Sequence, residues 1–139
     1  MGITNRRENI ERIDTNILVR LIANDEPKQV KRAKKLFSHK DRLYVFEDAA
    51  MMEVVYVLSG KLYQQKREQI ASNIKDIMRI ENLVCNKGLI EDSLDLYVSH
   101  PKLSFVDCYL TAATNLSNEK PLWTFDHKLA AQCPVAEEL

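Results

Sequence analysis

The chain has 139 residues and a mass of 16.1 kDa, which is the size of one ordinary globular domain. Apolar residues make up 45% of it and charged residues 29%, a balance that excludes a disordered or fibrous protein. No apolar run approaches the ~18 residues of a transmembrane helix, so we predict no membrane partner. Basic and acidic residues balance at 20 each, which excludes the uniformly basic surface of a simple DNA-coating protein.

Hydrophobic periodicity predicts short strands that alternate with amphipathic helices. In chain order the predicted elements are a strand over 10–14, helices over 15–23 and 27–38, a strand over 43–46, a helix over 49–58 with Asp48 as its N-cap and Gly60 as its stop, a helix over 67–80, a strand over 83–85, helices over 90–98 and 104–116, a strand over 122–125 and a helix over 127–131. This alternation predicts an α/β domain with a parallel sheet covered by helices on both faces. We predict a single domain over residues 1–139, with residues 1–9 as a disordered or non-native extension.

The cysteines and histidines do not form a recognisable metal or disulfide pattern. Cys85, Cys108 and Cys133 are odd in number and far apart, which argues against a disulfide framework or a zinc knuckle and favours a reducing, cytoplasmic location. The three histidines also lack metal-ligand spacing. Carboxylates are therefore the groups that we expect to carry any chemistry.

Glu53 has the most apolar surroundings of the acidic residues, since all eight residues within four positions of it are apolar. We therefore expect it on a helix that is buried nearly all round. An uncompensated carboxylate there would be costly, and a divalent cation or a basic partner would remove that cost. Glu47 and Glu81 have seven and six apolar neighbours on the same count. Each lies at the end of a predicted element, however, and this position is a sufficient structural reason for a carboxylate in an apolar stretch.

Asp14, Asp107 and Asp126 each fall where a strand or loop meets the start of a predicted helix. Each could simply cap its helix, and Ser104 with Asp107 has the spacing of a capping box. In a parallel sheet, however, such junctions lie at the edge where ligands bind. Several carboxylates that converge there cannot all ionise without a cation, and oxygen-only ligands suit Mg²⁺ or Mn²⁺. Such an ion positions a phosphodiester and activates water.

Four motifs resemble those of the PIN-domain ribonucleases, in the same order and in the expected elements. They are IDTNIL around Asp14, MMEVVYVL around Glu53, SFVDCYLTAA around Asp107 and WTFDHKLA around Asp126. Among these enzymes the chain looks most like the toxin half of VapBC-type toxin–antitoxin pairs. The similarity runs from about residue 13 to residue 135, almost the whole chain.

The resemblance implies a three-layer α/β/α domain with a central, mostly parallel sheet, and an endoribonuclease that depends on Mg²⁺ or Mn²⁺. It implies that Asp14 and Asp107 bind the metal directly, whereas Glu53 and Asp126 act more through water or a second metal. Two further residues are implied to orient these carboxylates, namely Asn16 and Thr124.

The resemblance also implies an RNA substrate that is single-stranded or looped, a homodimer, and a small VapB-like antitoxin whose tail blocks the site, often with an arginine. Two alternatives stay open: a PIN-domain nuclease in RNA processing without an antitoxin, and an inactive RNA- or protein-binding module on the same fold. A neighbouring gene for a small DNA-binding protein would support the toxin. All four acidic positions are filled, which disfavours the inactive module.

A neutral protein with an acidic site repels RNA unless a local positive surface compensates. The first 70 residues hold 14 basic and 10 acidic residues, whereas the remainder holds 6 and 10. We therefore predict that Lys31, Lys34 and Lys35 bind RNA, although an exposed lysine face needs no function. Tyr63 and Trp123 are candidates for base stacking, with core packing favoured for Trp123.

Overall fold

The computed structural model describes residues 9–139, and the first eight residues of the predicted extension lie outside the described part. The backbone N–H of Leu43 donates to the carbonyl of Asn9, the last residue of that extension, at 3.0 Å. The chain divides into two compact units, one ending at Cys85 and one running Asn86–Leu139, and each is described by itself. The single domain over residues 1–139 stays a prediction.

The first unit alternates strands and helices in the predicted order. Its elements are β1 (Ile10–Arg12), α1 (Thr15–Ala23), α2 (Pro27–Phe37), β2 (Leu43–Val45), α3 (Asp48–Ser59), α4 (Arg67–Ile77) and β3 (Leu83–Val84). The three strands form a parallel sheet in the order β1-β2-β3. Parallel strands need crossover connections, which the intervening helices supply. The predicted α/β class, a parallel sheet flanked by helices, is confirmed.

Local signals explain where the helices of this unit begin and end. Asp14 caps α1, and Asn24 ends it in the left-handed region with a φ of 53°. Pro27 occupies the first position of α2, where its missing N–H costs nothing. The prediction for α3 was wrong in one respect, because Asp48 is its first residue and Glu47 is the N-cap, without a capping side-chain bond. Asp48 still lies in the first turn, where the helix dipole favours a negative charge.

The core of the first unit packs against the middle strand, β2. Tyr44 and Phe46 are buried there, and the ring of Tyr44 meets Phe37 edge to face at a centroid distance of 5.3 Å. The Tyr44 hydroxyl donates to the carbonyl of Leu36 at 3.0 Å, and burial raises the pKa of Tyr44. Each such side chain contributes ~1.5–3 kcal/mol on full burial. This packing fixes the strand ends on which the acidic residues lie.

The second unit consists of α5 (Lys87–Ser99), α6 (Phe105–Ser117), β4 (Leu122–Thr124), α7 (His127–Gln132) and β5 (Ala136–Glu138). Tyr97 of α5 and Phe105 of α6 meet edge to face at 5.6 Å. The parallel pair β4-β5 forms a second sheet, in which Leu122 lies opposite Ala136. Strand β5 was not predicted, because its residues Ala-Glu-Glu carry no apolar run. None of the helices in residues 9–139 has the length and apolar character needed to cross a bilayer.

Candidate active site

The carboxyl ends of β1 and β2 bring two acidic residues to the same edge of the sheet. Arg12 lies opposite Val45 in parallel register, and the N–H of Ile13 donates to the carbonyl of Val45 at 3.0 Å. Asp14 and Glu47 each follow their strand by two residues. Parallel strands present this edge to ligands, as the sequence analysis expects.

A cleft of about 510 Å³ opens at this edge of the first unit. We call it the acidic cleft, and it is lined by Arg12, Ile13, Asp14, Thr15, Glu47, Ala49, Ala50 and Glu53. Glu53 reaches it from the second turn of α3. The structure thus brings together Asp14 and Glu53, two of the four acidic residues that the sequence analysis selects.

Glu53 is exposed, so the expectation of a carboxylate without a solvated side was wrong. It shares a face of α3 with Ala49, which is exposed, and with Tyr56, which is 78% exposed. The buried side of α3 is formed instead by Met51, Val54, Val55 and Leu58. Counting apolar neighbours along the chain cannot detect such an open face, since alanine and tyrosine count as apolar wherever they lie. The case for Glu53 therefore rests on the cleft and not on a burial cost.

Glu47 has a basic partner within the acidic cleft. Nε and Nη2 of Arg12 both lie 3.0 Å from Oε1 of Glu47. Both side chains are largely exposed, so the pair contributes little to stability, typically under ~1 kcal/mol. Asp14 and Glu53, by contrast, have no ion pair within the described residues. Neither Glu47 nor Arg12 was among the predicted site residues, although the equal spacing of Asp14 and Glu47 from their strands was a usable signal.

Asp14 and Asp126 are both N-caps, so their structural explanation is correct in each case. Oδ1 of Asp14 accepts from the backbone N–H of Asn16 at 2.9 Å. Oδ1 of Asp126 accepts from the backbone N–H groups of Lys128 and Leu129 at 2.9 and 3.3 Å. Each cap occupies one carboxylate oxygen, and the other accepts no hydrogen bond within residues 9–139. Capping thus orients each carboxylate and leaves one oxygen for a ligand.

Asp107 forms the predicted capping box with Ser104. The Ser104 hydroxyl oxygen accepts from the backbone N–H of Asp107 at 3.1 Å, and Oδ2 of Asp107 accepts from the N–H of Ser104 at 3.4 Å. The second of these bonds is long and therefore weak. Asp107 and Asp126 belong to the second unit, whereas Asp14 and Glu53 belong to the first.

The two supporting residues contact their aspartates in different ways. Asn16 donates its main-chain N–H to Asp14, and its side chain lines a neighbouring pocket. The Thr124 hydroxyl oxygen accepts from the backbone N–H of Asp126 at 2.9 Å, which fixes the bend between β4 and α7. Asn16 therefore orients the carboxylate of Asp14 directly, whereas Thr124 holds the main chain at Asp126.

The donor set of the acidic cleft fits a hard divalent cation. It offers carboxylate oxygens and neither cysteine nor histidine, which suits Mg²⁺ or Mn²⁺. No three His, Cys, Asp or Glu side chains form a metal-binding group anywhere in residues 9–139. Magnesium commonly needs only one or two carboxylates, with water and substrate phosphates as its other ligands. Asp14 and Glu53 meet that requirement.

The aromatic side chains are distributed differently from the expectation. Trp123 is 57% exposed, so the core position favoured for it was wrong. Phe125, which the sequence analysis did not select, is 80% exposed and immediately precedes Asp126. Tyr63 is half-buried, and its hydroxyl is engaged by Arg20 and Asp25, which argues against a stacking role.

Comparison with known proteins identifies one family. The model of the PIN domain matches residues 13–133 of the chain. Curated proteins and solved structures give no significant match. The matched region contains all four acidic positions, Asp14, Glu53, Asp107 and Asp126.

Proposed function

Because the chain belongs to the PIN-domain family, we propose that it is a metal-dependent endoribonuclease that hydrolyses RNA phosphodiester bonds. PIN domains are generally nucleases. The observation that carries the proposal is the acidic cleft, in which Asp14 and Glu53 line the same space and neither has an ion-pair partner within the described residues. Two such carboxylates in one cleft repel each other, and a cation relieves that repulsion.

Asp14 and Glu53 would hold Mg²⁺ or Mn²⁺ through the oxygens that face the acidic cleft. We assign the same role to Asp107 and Asp126 from the family resemblance and not from geometry. When bound, the ion orients the phosphodiester and lowers the pKa of an attacking water. The chain's own contribution is preorganisation, since the cap on Asp14 fixes one oxygen and so limits the rotation of the other.

Within the family, we assign the chain the role of the toxin in a type II toxin–antitoxin pair that forms a homodimer. The four motifs, carried by a chain of this size, support this finer assignment. An antitoxin tail bearing an arginine would suit the acidic cleft, because Glu47 already binds a guanidinium there, that of Arg12. Asp14 and Glu53 offer carboxylates of the same kind to a second guanidinium.

Cleavage of RNA by the purified protein tests the proposal. We expect internal cuts in single-stranded or looped regions, mapped by sequencing the new 5′ ends after incubation with Mg²⁺. RNA binding without any cleavage would favour the inactive binding module. Cleavage by a protein whose expression does not arrest growth, and which has no small partner that inhibits it, would favour an RNA-processing nuclease.

Glu53→Gln should lower cleavage by ~10–100-fold, the usual cost of losing a group that acts on a metal through water. Glu47→Gln should leave cleavage near the wild-type rate, because Glu47 is already paired with Arg12. Glu81→Gln is the matched control, since Glu81 lines other pockets of the first unit. Initial rates on one RNA at saturating Mg²⁺ measure all three variants. A loss in Glu47→Gln with a near-wild-type rate in Glu53→Gln would show that Glu47, and not Glu53, is the functional glutamate of the cleft.

Neutralising the lysines of α2 should weaken RNA binding without changing the chemical step. Lys31, Lys34 and Lys35 are exposed, so each is available to bind a phosphate. In the triple Lys→Gln variant the slope of log K against log salt should fall by roughly one unit for each phosphate that is no longer neutralised. Single-turnover cleavage at saturating RNA should be unchanged. An unaltered salt slope would mean that these lysines are only solvated.

A further inference from the structure

A second pocket of about 330 Å³ lies between α1 and α2 of the first unit. We call it the arginine pocket, and it is lined by Asn16, Ile17, Arg20, Gln29, Arg32 and Ala33. Its lining includes two arginines and two amides but no acidic side chain, the opposite character to the acidic cleft. Its volume lies at the lower end of the ~300–1,000 Å³ typical of ligand pockets.

Arg20 is held rigidly at one corner of the arginine pocket. Its Nη1 donates to Oδ1 of Asp25 at 3.1 Å and to the Tyr63 hydroxyl oxygen at 3.0 Å. The Tyr63 hydroxyl in turn donates to Oδ2 of Asp25 at 2.8 Å. The hydrogen bond with Tyr63 raises the pKa of Arg20, and that from Tyr63 lowers the pKa of Asp25. This closed triangle fixes the plane of the guanidinium.

The other edge of the same guanidinium is unused. Nη2 of Arg20 has no acceptor within residues 9–139, whereas Nε is buried out of reach of solvent and donates no hydrogen bond. Nη2 is therefore the donor that Arg20 can offer to a phosphate oxygen, as a charged hydrogen bond.

The net positive charge of the arginine pocket comes from Arg32. Asp25 balances the charge of Arg20, so Arg20 contributes directed donors more than charge. Arg32 is exposed on α2 and has no ion pair in the described part of the chain. The amides of Asn16 and Gln29 add neutral donors at the same wall. One free charge with several convergent donors suits an oxyanion.

The arginine pocket adjoins the acidic cleft through Asn16. The side chain of Asn16 lines the pocket, and its backbone N–H binds Asp14, which lines the cleft. We propose that the arginine pocket binds a phosphate group of the RNA next to the bond that is cleaved. The identity of this ligand rests on the proposed nuclease function, whereas the oxyanion site rests on the pocket alone. Binding there would anchor a neighbouring phosphate and so hold the RNA across the acidic cleft.

Binding of a single-stranded RNA oligonucleotide in excess chelator, where no metal-dependent cleavage interferes, tests the proposal. Arg32→Gln should raise Kd about tenfold, as expected for losing a charged hydrogen bond, and lower the salt slope by about 0.7. Arg20→Lys should raise Kd as well but leave the slope unchanged, because it keeps the charge and loses the fixed Nη2 donor of the planar guanidinium. Arg79→Gln is the control, since Arg79 is an exposed arginine of the same unit, lies 3.9 Å from Asp76 and does not line this pocket.

Titration with inorganic phosphate separates the failure of this proposal from that of the nuclease function. Phosphate should shift the backbone amide NMR signals of Asn16 and Arg32 in the wild type and not in Arg32→Gln. If the protein binds phosphate but never cleaves RNA, the proposed nuclease function is wrong and the oxyanion site is still supported. RNA cleavage with an unchanged Kd in Arg32→Gln, or an equal loss in Arg79→Gln, would overturn the arginine pocket. If circular dichroism shows that Arg20→Lys is unfolded, the proposal is tested by the Kd and salt slope of Arg32→Gln alone.

Discussion

Asp14→Asn should remove RNA cleavage, by about 10²-fold or more, while the protein stays folded. The loss follows because a metal ligand supplies several kcal/mol of transition-state stabilisation, and each 1.4 kcal/mol is about tenfold in rate. The fold should persist because asparagine caps helices as well as aspartate does, so the bond from the N–H of Asn16 survives. Removing one charge from a cleft that also holds Glu53 should leave the metal-free protein equally or more stable.

Thermal unfolding and cleavage rates of matched variants check this separation of roles. Asp14→Ala should lose both activity and ~1 kcal/mol of stability, since alanine cannot cap. We expect Asp107→Asn and Asp126→Asn to behave like Asp14→Asn if the family assignment holds for them. Near-native turnover in any one of these asparagine variants would exclude that residue from the site. Loss of folding in Asp14→Asn would mean that the charge itself stabilises α1.

Cleavage should require Mg²⁺ or Mn²⁺ and stop when a chelator removes the ion. The described residues offer a cleft with two carboxylates free of ion pairs, so the ion should bind weakly and exchange readily. Adding back the ion should restore the full rate. Titration of Mn²⁺ into the RNA-free protein gives an independent readout, in which Asp14→Asn and Glu53→Gln should weaken binding. Undiminished cleavage in excess EDTA would end the metal hypothesis.

Local sequence signals were sufficient to predict the limits of helices whose first and last turns are capped by neighbouring residues. The predicted limits of α1, residues 15–23, coincide with the observed helix, because Asp14 caps it and Asn24 accepts the left-handed conformation that ends it. The capping box of Ser104 and Asp107 is equally local and equally well predicted. These features depend on residues within four positions of each other, where spacing alone determines contact.

Long-range pairings could not be predicted from the sequence. Arg12 and Glu47 are 35 positions apart, and Arg20 and Tyr63 are 43 apart, so only the assembled sheet and helices bring them together. Strand β5 could not be predicted for a related reason, since its two glutamates join the sheet through main-chain pairing with β4. The exposed face of Glu53 likewise depends on which side of α3 packs inward.

The capping role of the aspartates also affects how inactive copies of this protein can arise. An aspartate codon becomes an asparagine codon by one base change, from GAU to AAU or from GAC to AAC. At Asp14 and Asp126 the product keeps its helix cap, so under the proposed function a single mutation would yield a folded and inactive chain. Such a chain would keep the rest of its surface unchanged. A mutation can therefore abolish the activity of the protein without abolishing the folded protein itself.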